Sequence, residues 1–233
     1  MRTAGMLFGT IAAAGIVSAD AVRTPQDEGW TDQFGVDRAD FRSTGRNPYF
    51  VLEPGYALVL EHGQQRLVVT VLPETKVVDG VETRIVEERE SDGSNLVEVS
   101  RNYFAISSRT NAVFYFGEDV DAYKNGRIDN HEGSWLAGVN GARFGLMMPG
   151  LPLLRARYYQ EIAPKVAMDR AEVLSMNGTF TSGAGKFTGV LRIEESTPLE
   201  HFSKEAKLYA PGVGLVEDGS LTLVRYGMNV AAR

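Results

Sequence analysis

The sequence predicts an all-β fold built on one strongly curved antiparallel sheet, either a half-barrel or a sandwich. Apolar and polar residues alternate with period two over most of the chain, and turn residues interrupt the alternation about every 8–12 positions. The alternating segments are rich in β-branched and aromatic residues, which favour strands. Beyond the N-terminus, no segment keeps an apolar face of helical spacing for three turns.

The strands are predicted in two groups, and the first half of the chain gives the clearer ones. An antiparallel sheet of this many strands is expected to curl, because a large open sheet twists until it closes or packs on itself. Residues 163–170 could form one helical turn, and the Gly-rich residues 178–185 are predicted to be a turn between strands. The predicted strands cover residues 49–52, 56–62, 66–72, 81–89, 96–106, 112–116, 155–162, 171–176, 187–195, 206–210 and 220–226.

Residues 1–21 are predicted to be a secretory signal peptide. Arg2 precedes an apolar run from Met6 to Val17, and Ala19 and Ala21 occupy the small-residue positions of an A-x-A cleavage site. The run is shorter than the roughly 20 residues that span a bilayer. We therefore expect an exported protein, periplasmic or extracellular, with an irregular N-terminal arm at residues 22–46 and a single antiparallel β domain at residues 47–233.

Composition excludes several classes of function. The chain has no cysteine, so it can form neither a disulfide nor a Cys-linked lipid anchor, and it has no thiol nucleophile. Its formal charge of −6 provides no basic surface for a nucleic acid. No segment after residue 21 is apolar enough to span a membrane, and we do not expect an integral membrane protein.

Residues 121–132 resemble a calcium-binding EF-hand loop in part. The candidate ligands at loop positions 1, 5, 9 and 12 are Asp121, Asn125, Asp129 and Glu132, with Gly126 at position 6. A tyrosine at position 3 offers no suitable oxygen, and both flanks lack helical character. A β-hairpin with its turn at Asn125-Gly126 is the favoured alternative, and calcium is the one cofactor that the sequence leaves open.

A second candidate site spans the Gly-rich region between residues 131 and 161. An aromatic and carboxylate groove there would suit a sugar or another polar ligand, and a pair of carboxylates could cleave a glycosidic bond. The alternative is that Trp135 belongs to the core and the glutamates are solvated. The candidate binding residues are Trp135, Tyr159, Gln160 and Glu161, and the candidate catalytic residues are Glu132, Glu161 and His131.

Other chemical motifs are absent from the sequence. It contains no Gly-x-Ser-x-Gly elbow, P-loop or dinucleotide-binding fingerprint. The three histidines lack the close spacing that is usual for zinc ligands. The acidic run from Glu87 to Glu90 is interpreted as a solvated strand end.

Two C-terminal segments carry a resemblance to a known group of proteins. Residues 189–199 (GVLRIEESTPL) and 207–217 (KLYAPGVGLVE), and less clearly residues 47–55 (NPYFVLEPG), resemble secreted bacterial β-proteins of the TapB-like and DUF3108-like group. That group is related in fold to the LolA and LolB lipoprotein carriers. The resemblance implies a strongly curved antiparallel sheet with an apolar concave face, and it carries over no catalytic residue.

Two functions of different classes follow from these observations. The first is an exported soluble binding or carrier protein of the bacterial cell envelope, whose partner is a small molecule, a lipid or a glycan. The second is an exported polysaccharide hydrolase or lyase that uses paired carboxylates. The missing catalytic motifs favour the first.

Overall fold

The structure, a computed structural model, describes residues 29–199 and 204–230. The predicted signal peptide at residues 1–21 lies outside these residues. Apart from one 3-10 turn at Arg38–Asp40, the regular elements of the described chain are all β-strands. The predicted all-β class is confirmed, and no described helix is long and apolar enough to cross a membrane.

The described part of the chain forms eighteen strands in sequence order. Those in its first half are β1 (Phe41–Arg42), β2 (Gly45–Asn47), β3 (Phe50–Leu52), β4 (Tyr56–His62), β5 (Gln65–Val78), β6 (Val81–Asp92), β7 (Asn95–Ser107), β8 (Val113–Lys124) and β9 (Arg127–Asn130). Those in its second half are β10 (Trp135–Leu136), β11 (Arg143–Met148), β12 (Arg157–Tyr159), β13 (Glu161–Ile162), β14 (Arg170–Ser182), β15 (Gly185–Ser196), β16 (Lys204–Ala210), β17 (Gly214–Asp218) and β18 (Leu221–Met228).

One antiparallel sheet dominates the fold and curls into a nearly closed barrel. Its strand order is β12-β14-β15-β16-β17-β18-β4-β5-β6-β7-β8-β11-β13, while β1 pairs with β7, β9 and β10 pair with β8, and β2 and β3 form a separate pair. The two ends of this path, β12 and β13, are separated in sequence by Gln160 alone. The sheet therefore curves until its last strand returns to its first, and Gln160 lies at the junction.

A close approach between β11 and Gln160 depends on a glycine. A Cβ atom on Gly145 would lie 2.4 Å from the backbone carbonyl carbon and oxygen of Gln160. No other residue fits there without moving the backbone. The residue therefore helps to set where the barrel comes together.

Alternation along the strands sorts side chains between the barrel interior and its outer surface. On β5 and β6, Val69 pairs with Glu88 and Val71 pairs with Val86, so these four side chains share the interior face. The outer face carries its own apolar cluster, in which Phe41 meets Phe114 and Phe116 edge-to-face with ring centroids 5.3 and 5.2 Å apart.

Several local details differ from the sequence prediction. Two short strands, β1 and β2, lie in the arm where little regular structure was expected. The predicted strand at residues 155–162 is interrupted at Gln160, because the chain leaves one end of the sheet there and enters the other. Residues 163–170 form a turn with an isolated bridge between Ala163 and Ala167 instead of a helical turn. Strand β14 continues through Gly178 by shifting register.

Candidate functional site

The barrel interior contains a cavity of about 70 Å³. A cavity of roughly 10–15 Å³ already holds one water molecule, so this one has room for about five waters or a short ligand chain. Apolar side chains form most of its wall, and a few polar groups converge on it. The apolar residues include Phe50, Val69, Val71, Val86, Met147 and Leu215, and the polar ones are Glu88, Lys207, Tyr209 and Asp218.

Lys207 is the one cationic side chain among the described residues that line the cavity, and acidic groups surround it. Its Nζ lies 3.0 Å from Glu195 Oε2 and 3.6 Å from Asp218 Oδ2. Burial by itself would lower the pKa of Lys207, but Glu195 and Asp218 raise that pKa well above its ordinary value. Lys207 is therefore charged, and two carboxylates already balance its charge.

Gln160 extends this network across the junction of the barrel. Its Nε2 donates a hydrogen bond of 2.9 Å to Glu195 Oε1 and lies 3.7 Å from Met147 Sδ. Glu195 thus accepts from Gln160 with one oxygen and pairs with Lys207 through the other. Gln160, at the junction between the two ends of the sheet, is therefore hydrogen-bonded to the polar network of the interior.

Glu88 faces the cavity without a partner of its own. It forms no hydrogen bond or ion pair with the residues that the structure describes, although it lies within electrostatic reach of Lys207 and Asp218. Burial raises the pKa of Glu88 to about 7, Asp218 and other carboxylates add to the rise, and Lys207 opposes it. The side chain is half-buried, because part of its surface faces the cavity that it lines.

A second buried carboxyl lies on β8. Burial raises the pKa of Glu118 to about 7, against the effect of the neighbouring Tyr115 hydroxyl. That hydroxyl donates a hydrogen bond to Asn102 Oδ1. Glu118 pairs in register with Asn102 on β7, so both lie on the interior face.

A third buried acid is Glu161, which lies beside Asp169 and Trp135. Burial raises the pKa of Glu161 well above its ordinary range, Asp169 and Glu118 raise it further, and the Trp135 indole lowers it. Glu161 Oε2 and Trp135 Nε1 both lack a hydrogen-bond partner of normal geometry within the described residues. The two groups are therefore close but not well aligned.

One end of the barrel opens through an acidic mouth, which we define by Glu90, Asp92, Glu205 and Asp218. These residues line a depression of about 310 Å³ together with polar residues of the turns at that end. Asp218 also lines the interior cavity, so the mouth and the cavity adjoin at this residue. Glu90 and Glu205 are exposed to solvent there, and neighbouring protein raises the pKa of both carboxyls.

The four predicted groove residues are all buried, but they do not share one face of the sheet. Trp135, Gln160 and Glu161 are buried, with Trp135 and Glu161 close together and Gln160 bonded into the interior network. Tyr159 is also buried, but it pairs in register with Arg170, and its ring faces the Arg170 guanidinium at 5.9 Å. The neighbouring Tyr158 pairs with Ala171, so Tyr159 lies on the opposite face of that strand.

The predicted catalytic residues are not gathered at one place. Glu132 is exposed on the turn that follows β9, whereas Glu161 is 6% exposed. His131 is 64% exposed at its side chain, and its Nδ1 lies 2.8 Å from Val120 O and 2.9 Å from Asp121 Oδ1. Of these three side chains, only Glu161 belongs to the buried interior, so the proposed carboxylate pair is divided between outside and inside.

The predicted hairpin at Asn125-Gly126 is confirmed. Lys124 pairs with Arg127, and the two turn residues have φ angles of 54° and 74°, which are typical of a type I′ turn. Asp121 pairs with Arg101 at 3.0 Å and with His131. Within residues 29–199 and 204–230, no group of three His, Cys, Asp or Glu side chains is arranged to hold a metal ion. Calcium binding at Asp121, Asn125, Asp129 and Glu132 stays a prediction.

Replacing Asn125 distinguishes the hairpin interpretation of this segment from the calcium-loop interpretation. We expect Asn125→Ala to lower the free energy of unfolding by about 1 kcal/mol, because alanine tolerates a left-handed φ poorly. Urea denaturation with and without calcium measures this, and Lys124→Ala serves as the control at a neighbouring position with ordinary backbone geometry. A destabilisation that appears only in the presence of calcium would support the loop instead.

Sequence reasoning missed the acids that line the interior. The run from Glu87 to Glu90 is a solvated strand end only in part. Arg89 and Glu90 are exposed, whereas Glu87 is 18% exposed at its side chain and lies near Arg89 and Arg101 on the outer face. Glu88 alternates with Glu87 and points inward. The sequence does carry a signal for this orientation. Glu88 follows the buried Val86 by two positions, as Glu195 follows the buried Ile193, and residues two apart on a strand face the same side.

Comparisons with family models, with curated proteins and with solved structures find no match for this chain. The resemblance to the TapB-like and DUF3108-like proteins, and through them to the LolA and LolB carriers, therefore stays a prediction. The functional argument rests on the chemistry of the interior.

Proposed function

We propose that this protein is an exported binding or carrier protein of the bacterial cell envelope that holds a small ligand inside its barrel. The observation that carries the proposal is the interior cavity, in which an apolar wall meets the converging polar groups of Glu88, Lys207 and Asp218. Ligand sites commonly combine a mostly apolar lining with a few polar groups that fix orientation. The predicted signal peptide at residues 1–21 supports export.

Two further features favour binding over catalysis. Ion pairs fix the positions of Lys207, Glu195 and Asp218, and such fixed side chains suit a rigid recognition surface. The residues of the hydrolase alternative are spread between an exposed turn and the buried interior, and a glycosidase needs its two carboxyls on one cleft. The hydrolase hypothesis has no comparable support in the geometry.

Filling the cavity tests the proposal. With methyl-labelled protein and n-hexanol as a neutral probe, we expect chemical-shift changes at the methyl groups of Val69, Val86 and Met147, because these side chains line the cavity. Val69→Phe places a phenyl ring in that space and is expected to abolish the changes. Leu215→Phe is a second filling variant at another point of the wall, in case the first is overpacked.

Val68→Phe provides the matched control. Val68 precedes Val69 on β5 and pairs with Arg89, so it lies on the opposite face of the sheet. This variant is expected to keep the response to hexanol. The proposal fails if hexanol does not perturb the cavity methyl groups, or if it perturbs them equally in folded Val69→Phe and Leu215→Phe proteins.

A further inference from the structure

The charges inside the barrel are not balanced. Lys207 brings one positive charge and pairs with both Glu195 and Asp218, so these three residues already carry one more negative than positive charge. Glu88 lines the same cavity and forms no hydrogen bond or ion pair with any described residue. An ionised, unpaired carboxyl in such a site is costly, and the cost is relieved either by taking up a proton or by the arrival of a partner of opposite charge.

The depression beside the cavity carries the same sign of charge. The mouth residues Glu90, Asp92 and Glu205 adjoin the cavity at Asp218. Arg66 is the cationic residue in the described lining of this depression, and it also approaches Glu61 at 3.4 Å. A cleft lined by one sign of charge raises the local concentration of ligands of the opposite sign.

The cavity wall restricts what else the ligand contains. Val69, Val86 and Met147 offer no hydrogen bonds to a polyhydroxylated molecule. The small volume fits a short chain and excludes a large ring system. A bare metal ion lacks a suitable ligand set, since no group of three candidate ligands is arranged for one in the described chain.

We propose that the ligand is a small organic cation, a primary ammonium group on a short apolar chain, with the ammonium against Glu88 and the chain along the apolar wall. This inference rests on the proposed binding function and names its ligand class. A charge-assisted hydrogen bond between an ammonium and a carboxylate is stronger than one between neutral groups. Because Lys207 already pairs with two carboxylates, the cavity offers no comparable site for an anionic head group.

The test compares three probes of equal chain length by calorimetric titration at pH 8. We expect n-hexylamine to bind at least about tenfold more tightly than n-hexanol, as one added charge-assisted hydrogen bond provides. Hexanoate is expected to bind more weakly than hexanol, because the cavity and its mouth are acidic. An equal or weaker affinity for the amine overturns the inference.

Variants assign the selectivity to one side chain. In Glu88→Gln the preference for hexylamine over hexanol is expected to fall to within about threefold of unity. Glu82→Gln, at an exposed position of the same strand, is expected to keep the full preference. An undiminished preference in Glu88→Gln would place the cation elsewhere and contradict the assignment.

The pH dependence gives a second readout in the unmodified protein. As the pH falls from 8 to 6 the preference for the amine is expected to shrink, because Glu88 takes up a proton. The charged groups around Glu88 are Lys207, Asp218, Glu90 and Glu195. Burial also raises the pKa of Asp218 and of Glu90, so any proton that they take up on acidification weakens the attraction for the amine in the same direction. A preference that stays constant over this range contradicts the role of Glu88.

Failure of the inference and failure of the proposed function are distinguishable. If hexanol binds in the cavity and hexylamine binds no better, the protein binds ligands but the cation assignment is wrong. If none of the three probes binds and the cavity methyl groups do not respond, the binding function itself is wrong.

Discussion

Lys207→Met is expected to destabilise the protein by about 3–5 kcal/mol, since removing one member of a buried ion network leaves its partners uncompensated. Lys207 contacts Glu195 and Asp218, and its side chain is 22% exposed, towards the cavity. Methionine fills a similar volume but offers no charge. Both carboxylates, with Glu88 nearby, would then repel one another in the interior.

Urea denaturation at pH 7.5 measures this effect, and Lys204→Met is the control. Lys204 lies on the same strand and pairs with Glu194 at 2.6 Å, but its side chain is 64% exposed. An exposed pair contributes about 0–1 kcal/mol, so the control should lose little. Similar losses in the two variants would contradict the account of a buried network. Part of the loss in Lys207→Met should be recovered on acidification, because burial raises the pKa of Glu88 and of Asp218, and a protonated carboxyl no longer repels its neighbours.

Stability is expected to fall as the pH rises from about 5 to about 8, opposite to the behaviour of most carboxylates. The folded protein raises the pKa of Glu88 and of Glu118 from 4.5 to about 7, chiefly through burial. Between these values the folded state binds more protons than the unfolded state, so the free energy of unfolding decreases with pH. Because both groups retain some contact with solvent, we expect a total decrease of about 2–3 kcal/mol.

Carboxyls with lowered pKa do not mask this trend. Salt bridges and hydrogen bonds overcome the effect of burial and lower the pKa of Asp119 and of Glu172. Their contribution to stability is present above the unfolded pKa and is lost only as the pH falls further, below the window considered.

Denaturation curves across this pH range measure the trend. The double variant Glu88→Gln with Glu118→Gln should make the decrease clearly smaller, whereas Glu132→Gln, on the exposed turn, should leave it unchanged. The slope that remains in the double variant comes from other buried acids such as Glu161, whose pKa burial also raises. Stability that is constant or rises between pH 5 and pH 8 in the unmodified protein would contradict the raised pKa of these buried acids.

The fold was predictable from the sequence because alternation and turn chemistry are local. The alternation of Leu67, Val69 and Val71 defines the inward face of β5, and the Asn125-Gly126 turn defines the hairpin after β8. The break at Gln160 was not predictable in the same way. It depends on the sheet closing on itself, and the close packing of Gly145 against Gln160 joins residues that no local pattern relates.

The site was largely missed because burial of charge is a property of the closed barrel and not of a single strand. Glu88, Glu195 and Lys207 lie on three different strands, and each looks like a solvated surface residue in its own segment. Only the pairing of those strands brings them together. Gln160 and Glu161 were identified for another reason, as part of a groove, and both lie in the buried interior.

A crystal structure of the full chain grown with n-hexylamine tests the central claim, that the barrel interior is a binding site for a small cation, most directly. The account predicts the ammonium nitrogen at about 2.8 Å from a carboxylate oxygen of Glu88. The alkyl chain should lie against Val69 and Val86. Amine density confined to the outer surface, with water or repacked side chains filling the cavity, would contradict it.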